Sequence, residues 1–309
     1  MYDVIIMGGG AAGMTAAIYS ARKKLNTLVL EYERGGQTAL QPEIWNYPGY
    51  TELDGRKLLD TFRKQALSFG AEMKSFRVEK ISSEKDGNDH DFFSVEDKNG
   101  NKLETKALII ATGAKPKMLG VPGEDTFYNK GVTYCATCDA PLFDGKAVAV
   151  VGAGNTGLDA ALMLTKYASK IYILIRSESV KGDPVTKEKL EKDEKVEFIF
   201  NAESKEVKGD KFVSGLVYND KKNKEEKELA VSGVFISIGS LPNSDFLKGF
   251  CDLNQWGQVV INPRTNATSR AGVFAAGDVC DIDERQTIIA AGEGAKAALQ
   301  CYKWLSSKH

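Results

Sequence analysis

The chain has 309 residues, 42% hydrophobic and 27% charged, which is typical of a globular protein large enough for two domains. Its 41 basic and 42 acidic residues nearly cancel, so no overall field attracts nucleic acid or an anionic membrane surface. No apolar run reaches the roughly 18 residues of a membrane-spanning helix, and the N-terminus lacks the basic segment of a signal peptide. The composition predicts a cytoplasmic protein without nucleic-acid or membrane partners.

The N-terminal segment has the order strand, glycine loop, helix. An apolar run at 4–7 leads into a loop that contains Gly8, Gly10 and Gly13, and an alanine-rich helical pattern follows at 14–22. The next strand is expected at 27–31 and ends at Glu31, 23 positions after Gly8. In dinucleotide-binding folds such glycines let the backbone approach a pyrophosphate, and the acid accepts a hydrogen bond from a ribose hydroxyl. The segment predicts a dinucleotide site, with a plain turn as the alternative.

A second copy of this pattern begins at residue 147. The apolar run 147–151 leads into a glycine loop, a helical pattern at 158–167 and another apolar run at 171–175. The candidate binding residues of this loop are Gly152, Gly154, Asn155, Thr156 and Gly157. Two such units indicate one flavin dinucleotide and one nicotinamide dinucleotide, since electrons must pass between two carriers.

Two further segments are candidates for the points at which the chain passes from one domain to the other. Apolar strands followed by turns lie at 107–116, which includes Gly113, and at 233–243. A later strand runs into Gly277 and Asp278, ahead of an alanine-rich helix at 288–304. The Asp278 carboxylate suits a hydroxyl of a flavin dinucleotide, and a helix N-cap is the alternative role.

These elements predict an α/β fold in which one domain is inserted into another. We expect two Rossmann-like, three-layer ββα dinucleotide-binding domains. The first comprises residues 1–115 plus 244–309, and the second comprises residues 116–243 and carries a pair of cysteines.

The cysteine pair, Cys135 and Cys138, stands just before the second glycine loop. Its spacing suits either a reversible disulfide or half of a zinc site. Zinc needs about four ligands, whereas no second cysteine pair lies nearby and the two histidines of the chain are His90 and His309. Inert buried thiols are the other alternative to redox exchange, in which one thiolate attacks a disulfide and a second thiol resolves the mixed disulfide. For Cys251, Cys280 and Cys301 we expect ordinary packing.

Asp139 follows the second cysteine directly. A carboxyl group in a partly buried redox site can hold a proton when its pKa is raised, and can pass it to a leaving thiolate or to a reduced flavin. Asp139 is therefore the candidate acid/base, with a turn or cap residue as the alternative.

The chain resembles the low-molecular-weight thioredoxin reductases, which are class II pyridine nucleotide-disulfide oxidoreductases, over essentially its whole length. Besides the two glycine loops, the resemblance rests on GGQ at 35–37, NYPG at 46–49, ATG at 111–113, CATCD at 135–139, GDV at 277–279 and RQ at 285–286. It implies that the first domain carries FAD, that the inserted domain binds NADPH or NADH, and that the enzyme is a homodimer.

The resemblance also implies roles for individual residues. Gly8, Gly10 and Gly13 would face the FAD pyrophosphate, Glu31 the adenosine ribose and Asp278 the flavin side of the linkage. Gln37, Thr38, Asn46 and Gln286 would line the cofactor. Cys138 would lie next to the flavin, and Cys135 would attack the disulfide of thioredoxin or of a thioredoxin-like or glutaredoxin-like protein.

The chain departs from the family at the end of the second strand of the inserted domain. Reductases that prefer NADPH resemble HRRxxxR there, a guanidinium cluster that suits the 2′-phosphate, whereas this chain has IRSESVK at 175–181. Arg176 and Lys181 remain. Relatives that prefer NADH would carry an acid at position 175, and Ile175 supplies none. The sequence therefore does not decide between NADPH and NADH, and Arg176 is the candidate contact to the coenzyme.

The inserted domain is also similar to the flavoprotein subunit of alkyl hydroperoxide reductase. That subunit has an additional N-terminal thioredoxin-like module, and nothing of the kind precedes Met1, so we expect a separate acceptor protein. One alternative keeps the disulfide chemistry but takes electrons from ferredoxin or another non-nicotinamide donor. The intact second glycine loop argues against it. A flavin-binding redox sensor is an alternative of a different class, and catalytic turnover would exclude it.

Overall fold

The computed structural model describes residues 1–32, 35–41, 44, 46–51, 53–85 and 91–308. Both histidines of the chain, His90 and His309, lie outside these residues. The chain divides into two compact units: Met1–Lys115 together with the residues from Leu241 onward, and Pro116–Ser240. The second unit ends three residues before the predicted boundary at 243.

The strands and the α-helices are each numbered in chain order. The strands are β1 (Tyr2–Met7), β2 (Thr27–Glu31), β3 (Glu72–Ser75), β4 (Lys80–Lys85), β5 (Asp91–Glu96), β6 (Lys102–Ile110), β7 (Ala114–Pro116), β8 (Val132–Thr133), β9 (Ala147–Val151), β10 (Lys170–Leu174), β11 (Val196–Ile199), β12 (Ala202–Gly209), β13 (Val213–Asp220), β14 (Glu225–Ala230), β15 (Gly233–Ile236), β16 (Ser240–Pro242) and β17 (Val273–Ala275). The α-helices are α1 (Ala11–Arg22), α2 (Gly36–Ala39), α3 (Gly55–Ser68), α4 (Ala136–Asp139), α5 (Asn155–Leu164), α6 (Pro184–Glu191) and α7 (Thr287–Ser306).

The first unit is built on a parallel sheet with the strand order β3-β2-β1-β6. On its other edge β6 pairs with β5, antiparallel, near its start and with β17, parallel, near its end. Strand β4 then pairs with β5. The carboxyl ends of β1, β2, β6 and β17 therefore meet at one edge of the sheet, which is where ligands bind in open α/β folds.

Both faces of this sheet are covered, which explains why its strands are continuous apolar runs. Along β1, Val4 and Ile6 join a core that includes residues of α1 and α7, whereas Ile5 and Met7 join a second core on the opposite face. All four side chains are at most 1% exposed. The two-residue alternation of a strand thus fills two cores from one apolar segment.

The second unit contains a parallel five-stranded sheet in the order β11-β10-β9-β15-β8. An antiparallel sheet of β12, β13 and β14 accompanies it. The segments that connect the two units, β7 and β16, pair with each other. The predicted fold class, with two Rossmann-like units of sheet and helices, is confirmed.

The predicted elements agree with the structure most closely at the strands. The strands expected at 27–31 and 147–151 have those bounds. The helix expected at 158–167 instead runs from Asn155 to Leu164 and is followed by a turn in which the Tyr167 carbonyl accepts the N–H of Gly145. None of the helices in the described part of the chain combines the length and apolar character needed to cross a membrane.

Candidate cofactor and disulfide sites

The first glycine loop connects β1 to α1 with very little space between backbone segments. Gly8 has φ +122°, and a Cβ at this position would lie 2.1 Å from the carbonyl oxygen of Ala111. A Cβ at Gly13 would lie 1.9 Å from the carbonyl oxygen of Gly8. By contrast, the nearest atom to a Cβ at Gly10 would be 3.9 Å away. Gly8 and Gly13 are therefore needed for packing, and Gly10 leaves room for a phosphate at the start of the helix.

Glu31, at the end of β2, lies beside this loop with one of its carboxylate oxygens unused. Oε1 accepts a hydrogen bond from the guanidinium of Arg63 on α3. Oε2 is buried and has no hydrogen-bond partner among the described residues. A buried acceptor without a donor is costly, so Oε2 suits a hydroxyl group of a bound ligand. A Cβ at Gly9 would lie 2.4 Å from this oxygen.

The carboxylate opens onto a cleft of about 220 Å³. Its lining includes Gly9, Met14, Glu31, Gly35, Arg56 and Arg63. The open position at Gly10, the orphaned oxygen and the cleft all fit the adenosine and pyrophosphate parts of a dinucleotide. Sequence reasoning missed Arg63, because nothing in the α3 segment signals a partner on β2.

Three of the predicted flavin-lining residues come together although they are far apart in the sequence. Asn46 Nδ2 donates a hydrogen bond of 2.9 Å to Oε1 of Gln286, which is the N-cap residue of α7. The hydroxyls of Thr38 and Thr287 are 3.1 Å apart. Of the other predicted residues, Gln37 lies exposed on α2, and Gly113 turns the chain after β6 with φ +66°.

Asp278 lies in a turn that follows β17. Because α7 has Gln286 as its N-cap, the alternative role of Asp278 as a helix cap is wrong. Burial raises the pKa of the Asp278 carboxyl, and the nearby charge of Arg285 opposes this shift. The turn is held by Glu293 of α7, whose Oε2 accepts the N–H of Gly277 at 2.7 Å. Sequence reasoning missed Glu293, since an acid within a helix is ordinarily exposed.

The second glycine loop repeats the geometry of the first. Gly152 has φ +112°, and a Cβ there would lie 2.4 Å from the carbonyl oxygen of Ser237. A Cβ at Gly157 would lie 2.1 Å from the carbonyl oxygen of Gly152, whereas a Cβ at Gly154 would meet nothing within 4 Å. The loop fits a second dinucleotide by the same argument.

Two further predicted residues follow Gly154 at the start of α5. The side-chain oxygen of Asn155 accepts the N–H of Asp183 at 2.9 Å. Thr156 is exposed. Asn155 therefore joins the glycine loop to the start of α6, whose N-cap is Asp183.

The segment after β10 lies against this loop. The carbonyl oxygen of Leu174 accepts the N–H of Gly152 at 3.0 Å, and that of Ala153 accepts the N–H of Lys181 at 3.2 Å. Ile175 is buried in the core of the unit, whereas Arg176 and Lys181 are exposed. The loop therefore has two exposed cationic residues nearby and no carboxylate at position 175.

Cys135 and Cys138 form a disulfide in the second unit, with Cα atoms 5.3 Å apart. Both residues are half-buried and bonded to each other, so they are not two buried free thiols. Sγ of Cys135 accepts the N–H of Cys138 at 3.2 Å. Within the described residues, no group of three or more His, Cys, Asp or Glu side chains is placed to hold a metal ion.

Asp139 is tied to the disulfide through Thr133. The Thr133 hydroxyl donates to Oδ2 of Asp139 and accepts the N–H of Cys135 at 3.1 Å. Asp139 also donates its own N–H to the Cys135 carbonyl at 3.1 Å. Asp139 occupies the N-cap position of the 3₁₀ turn Ala140–Phe143 that follows, but its side chain makes no capping hydrogen bond there.

A buried carboxylate, Glu124, anchors the residue before the disulfide. It is 2% exposed and accepts the N–H groups of Leu119 and Gly120 at 2.8 and 2.7 Å. It also accepts the hydroxyl of Tyr134 at 2.8 Å. Burial, together with this hydrogen bond, raises the pKa of the Tyr134 phenol, which therefore stays a donor. Sequence reasoning had no signal for Glu124, since a lone acid ten residues upstream belongs to no motif.

The three remaining cysteines are packed, as predicted. Cys280 and Cys301 are fully buried, and Cys251 is half-buried. Burial raises the pKa of all three thiols, that of Cys251 to about 11. None of them supplies a thiolate at neutral pH.

Comparison with known proteins gives a consistent result. Residues 2–295 match the family described as pyridine nucleotide-disulphide oxidoreductase. The chain is 39% identical to a subunit of alkyl hydroperoxide reductase of Pseudomonas aeruginosa, over 98% of this chain but 58% of that protein. It is 37% identical to thioredoxin reductase 1 of Saccharomyces cerevisiae, over 98% of both chains. The crystal structure of thioredoxin reductase from Streptococcus pyogenes superposes with a TM-score of 0.91, at 34% identity over 99% of both chains.

Proposed function

The chain belongs to the pyridine nucleotide-disulphide oxidoreductases, and we propose that it is a flavin-dependent disulfide reductase, a thioredoxin-disulfide reductase. The Cys135–Cys138 disulfide would receive the electrons that NAD(P)H supplies by way of bound FAD, and would pass them to thioredoxin or to a thioredoxin-like or glutaredoxin-like protein. The observation that carries this proposal is the half-buried disulfide in the unit that also holds the second glycine loop. The full-length match to a yeast thioredoxin reductase supports it.

The residues of the first unit would hold FAD. Gly10 would leave space for the pyrophosphate, Oε2 of Glu31 would accept from the adenosine ribose, and Asp278, Asn46 and Gln286 would line the flavin side. When bound, FAD supplies two-electron transfer between a nicotinamide and a disulfide. The second loop, with Gly154 open, would hold the nicotinamide cofactor.

The cysteines reduce the partner protein by thiol–disulfide exchange. Two electrons and two protons convert their disulfide to two thiols. The Cys135 thiolate then attacks one sulfur of the partner disulfide, and the other partner sulfur leaves as a thiolate. Cys138 attacks Sγ of Cys135 in the mixed disulfide, which releases the second partner thiolate and restores the Cys135–Cys138 disulfide.

Two local features support these roles. The N–H of Cys138, which donates to Sγ of Cys135, favours the thiolate on the attacking sulfur. Asp139, held beside the pair by Thr133, would give a proton to a leaving thiolate. The attacking role of Cys135 and the flavin-facing role of Cys138 follow the family resemblance.

The proposal includes a homodimer and a cytoplasmic location. The homodimer follows from the family resemblance, and the location follows from the composition. Sedimentation velocity on the flavin-loaded protein should give about twice the mass of one chain. A monomer that retains full turnover would contradict the dimer.

The proposed function is tested by anaerobic stopped-flow reduction of the bound flavin with NADH, NADPH and reduced ferredoxin, followed by insulin-coupled turnover with a panel of thioredoxins. We expect rapid bleaching of the flavin by a nicotinamide and catalytic insulin reduction with at least one thioredoxin. If reduced ferredoxin bleached the flavin and neither nicotinamide did, ferredoxin would be the electron donor in place of NAD(P)H. Flavin reduction without any turnover would favour a sensor.

Replacing Arg176 with alanine is expected to raise the dissociation constant of NADPH about tenfold and to leave that of NADH nearly unchanged. A guanidinium at the end of β10 would pair with the 2′-phosphate, which NADH lacks, and one charge-assisted hydrogen bond contributes about 1.5–3 kcal/mol. Titration of each nucleotide into the oxidised enzyme measures this. Lys181→Ala tests the second cation, and Lys166→Ala, at the far end of the α5 segment, is the matched control. An equal rise in the dissociation constants of both nucleotides would show that Arg176 does not bind the 2′-phosphate.

A further inference from the structure

Helix α7 has one acidic residue on its buried side. The buried residues of this helix are otherwise small or apolar: Ala291, Gly294, Ala297, Ala298, Cys301 and Leu305. Glu293 lies among them and is 9% exposed. Burial raises the pKa of its carboxyl group, and the N–H of Gly277, which donates to it, opposes this shift. A carboxylate at such a position costs free energy unless a donor compensates for its lost hydration.

The donor belongs to the turn that contains Asp278. Strand β17 ends at Ala275, and Gly277 lies two residues beyond it. The N–H of Gly277 donates to Oε2 of Glu293 at 2.7 Å. Gly277 has φ +79°, and its carbonyl oxygen accepts the N–H of Cys280 at 2.9 Å, which closes the turn. Glu293 therefore fixes the backbone directly before Asp278.

Helix α7 is itself packed closely against the start of α1, beside the first glycine loop. A Cβ at Gly294 would lie 2.0 Å from the carbonyl oxygen of Ala12, the second residue of α1. A Cβ at Gly277 would lie 3.0 Å from Cβ of Ala12. The turn, α7 and the start of α1 therefore meet at Ala12. Since Gly294 follows Glu293 directly, the carboxylate extends from backbone that this packing holds in place.

We propose that Glu293 is a positioning residue for FAD binding, which holds the backbone at Gly277 and thereby places the Asp278 carboxylate for a hydroxyl of the cofactor. This inference rests on the proposed function, which makes FAD the ligand of the first unit. An acceptor on α7 is needed because the Gly277 N–H lies beyond the end of β17. Without that acceptor, FAD binding would have to order a backbone segment that the carboxylate orders in advance.

The experiment titrates FAD into the full-length apoprotein of the parent and of each variant, with flavin fluorescence as the signal. Glu293→Met has a similar length and lacks the acceptor, whereas Glu293→Gln keeps a carbonyl oxygen for the N–H of Gly277. We expect Glu293→Met to raise the dissociation constant of FAD about tenfold, because one hydrogen bond to a charged group is lost. Glu293→Gln should stay within about threefold of the parent. Lys303→Ala, at an exposed position of the same helix, is the control and should bind FAD like the parent.

A double-variant comparison shows whether Glu293 acts through Asp278. In an Asp278→Ala background the carboxylate that Glu293 places is gone, so Glu293→Met should raise the dissociation constant of FAD by less than about twofold further. A purely structural role predicts the same tenfold rise in both backgrounds, and such additivity would overturn the inference. Parent-like FAD binding by Glu293→Met, or a tenfold loss of affinity in Glu293→Gln, would overturn it as well.

The remaining outcomes separate this inference from the proposed function. If Glu293→Met does not fold, Glu293→Ala takes its place in both backgrounds, and Glu293→Gln is measured as before. A parent that binds FAD but reduces no thioredoxin would refute the proposed function, whereas the FAD titrations, which need no turnover, would still decide the role of Glu293. A parent that binds no FAD would overturn both.

Discussion

Replacing Cys138 with serine is expected to lower insulin-coupled disulfide reduction by about 10³-fold or more, while the nucleotide still reduces the bound flavin at close to the parent rate. The Cys135–Cys138 disulfide is the chain's own carrier between the flavin and the partner, and a serine hydroxyl cannot form it. The measurement is stopped-flow flavin absorbance beside steady-state turnover of the same preparation.

The same variant distinguishes the two thiols. In Cys138→Ser the remaining Cys135 can attack a partner disulfide, but nothing resolves the adduct. A covalent complex with thioredoxin should therefore accumulate, be visible by mass spectrometry without reductant, and be absent in Cys135→Ser. The matched control is Cys251→Ser, which removes a half-buried free thiol and should keep parent activity. Disulfide reduction that persists in Cys138→Ser would remove the pair from the mechanism.

Replacing Gly13 with alanine should destabilise the first unit by about 3 kcal/mol or more and abolish FAD binding. The added Cβ would lie 1.9 Å from the carbonyl oxygen of Gly8, and neither α1 nor β1 can move, because both are packed on buried cores. Thermal unfolding of the apoprotein, followed by FAD titration with fluorescence detection, separates the two effects.

Gly10→Ala is the partner experiment. Its Cβ would meet no atom nearer than 3.9 Å, so the apoprotein should fold with an unfolding free energy within about 1 kcal/mol of the parent. The methyl group would nevertheless occupy the space left for the pyrophosphate, and the dissociation constant of FAD should rise about tenfold or more. Parent-like FAD binding by Gly10→Ala would show that the phosphate does not approach this position.

Local pattern was sufficient for the elements around the glycine loops. The strands at 27–31 and 147–151 were predicted with their observed bounds because a strand covered on both faces is a short, uninterrupted apolar run. Helix ends were less predictable. The helix that follows the second glycine loop ends at Leu164 rather than 167, where a hydrogen bond from Gly145 holds the following turn.

The residues of the candidate site also fall into two groups, those that a local motif predicts and those that only the tertiary structure reveals. The cysteine pair, the glycines and Glu31 stand within short motifs, and each could be found from its own segment. Arg63 and Glu293 could not, because their roles arise from contacts to a strand and to a turn that other segments supply. The bond between Asn46 and Gln286 joins residues 240 positions apart, which only the tertiary fold brings together.

The sequence by itself determined where electrons can be carried: a cysteine pair with two-residue spacing and two glycine loops, each between an apolar run and a helical pattern. These patterns are local, so they can be recognised without knowledge of the fold. Only the tertiary structure decided which individual atoms are available. Arg63 leaves Oε2 of Glu31 unpaired, and Thr133 uses Oδ2 of Asp139. The physical reason is that a carboxylate's two oxygens are chemically equivalent until packing brings a donor to one of them.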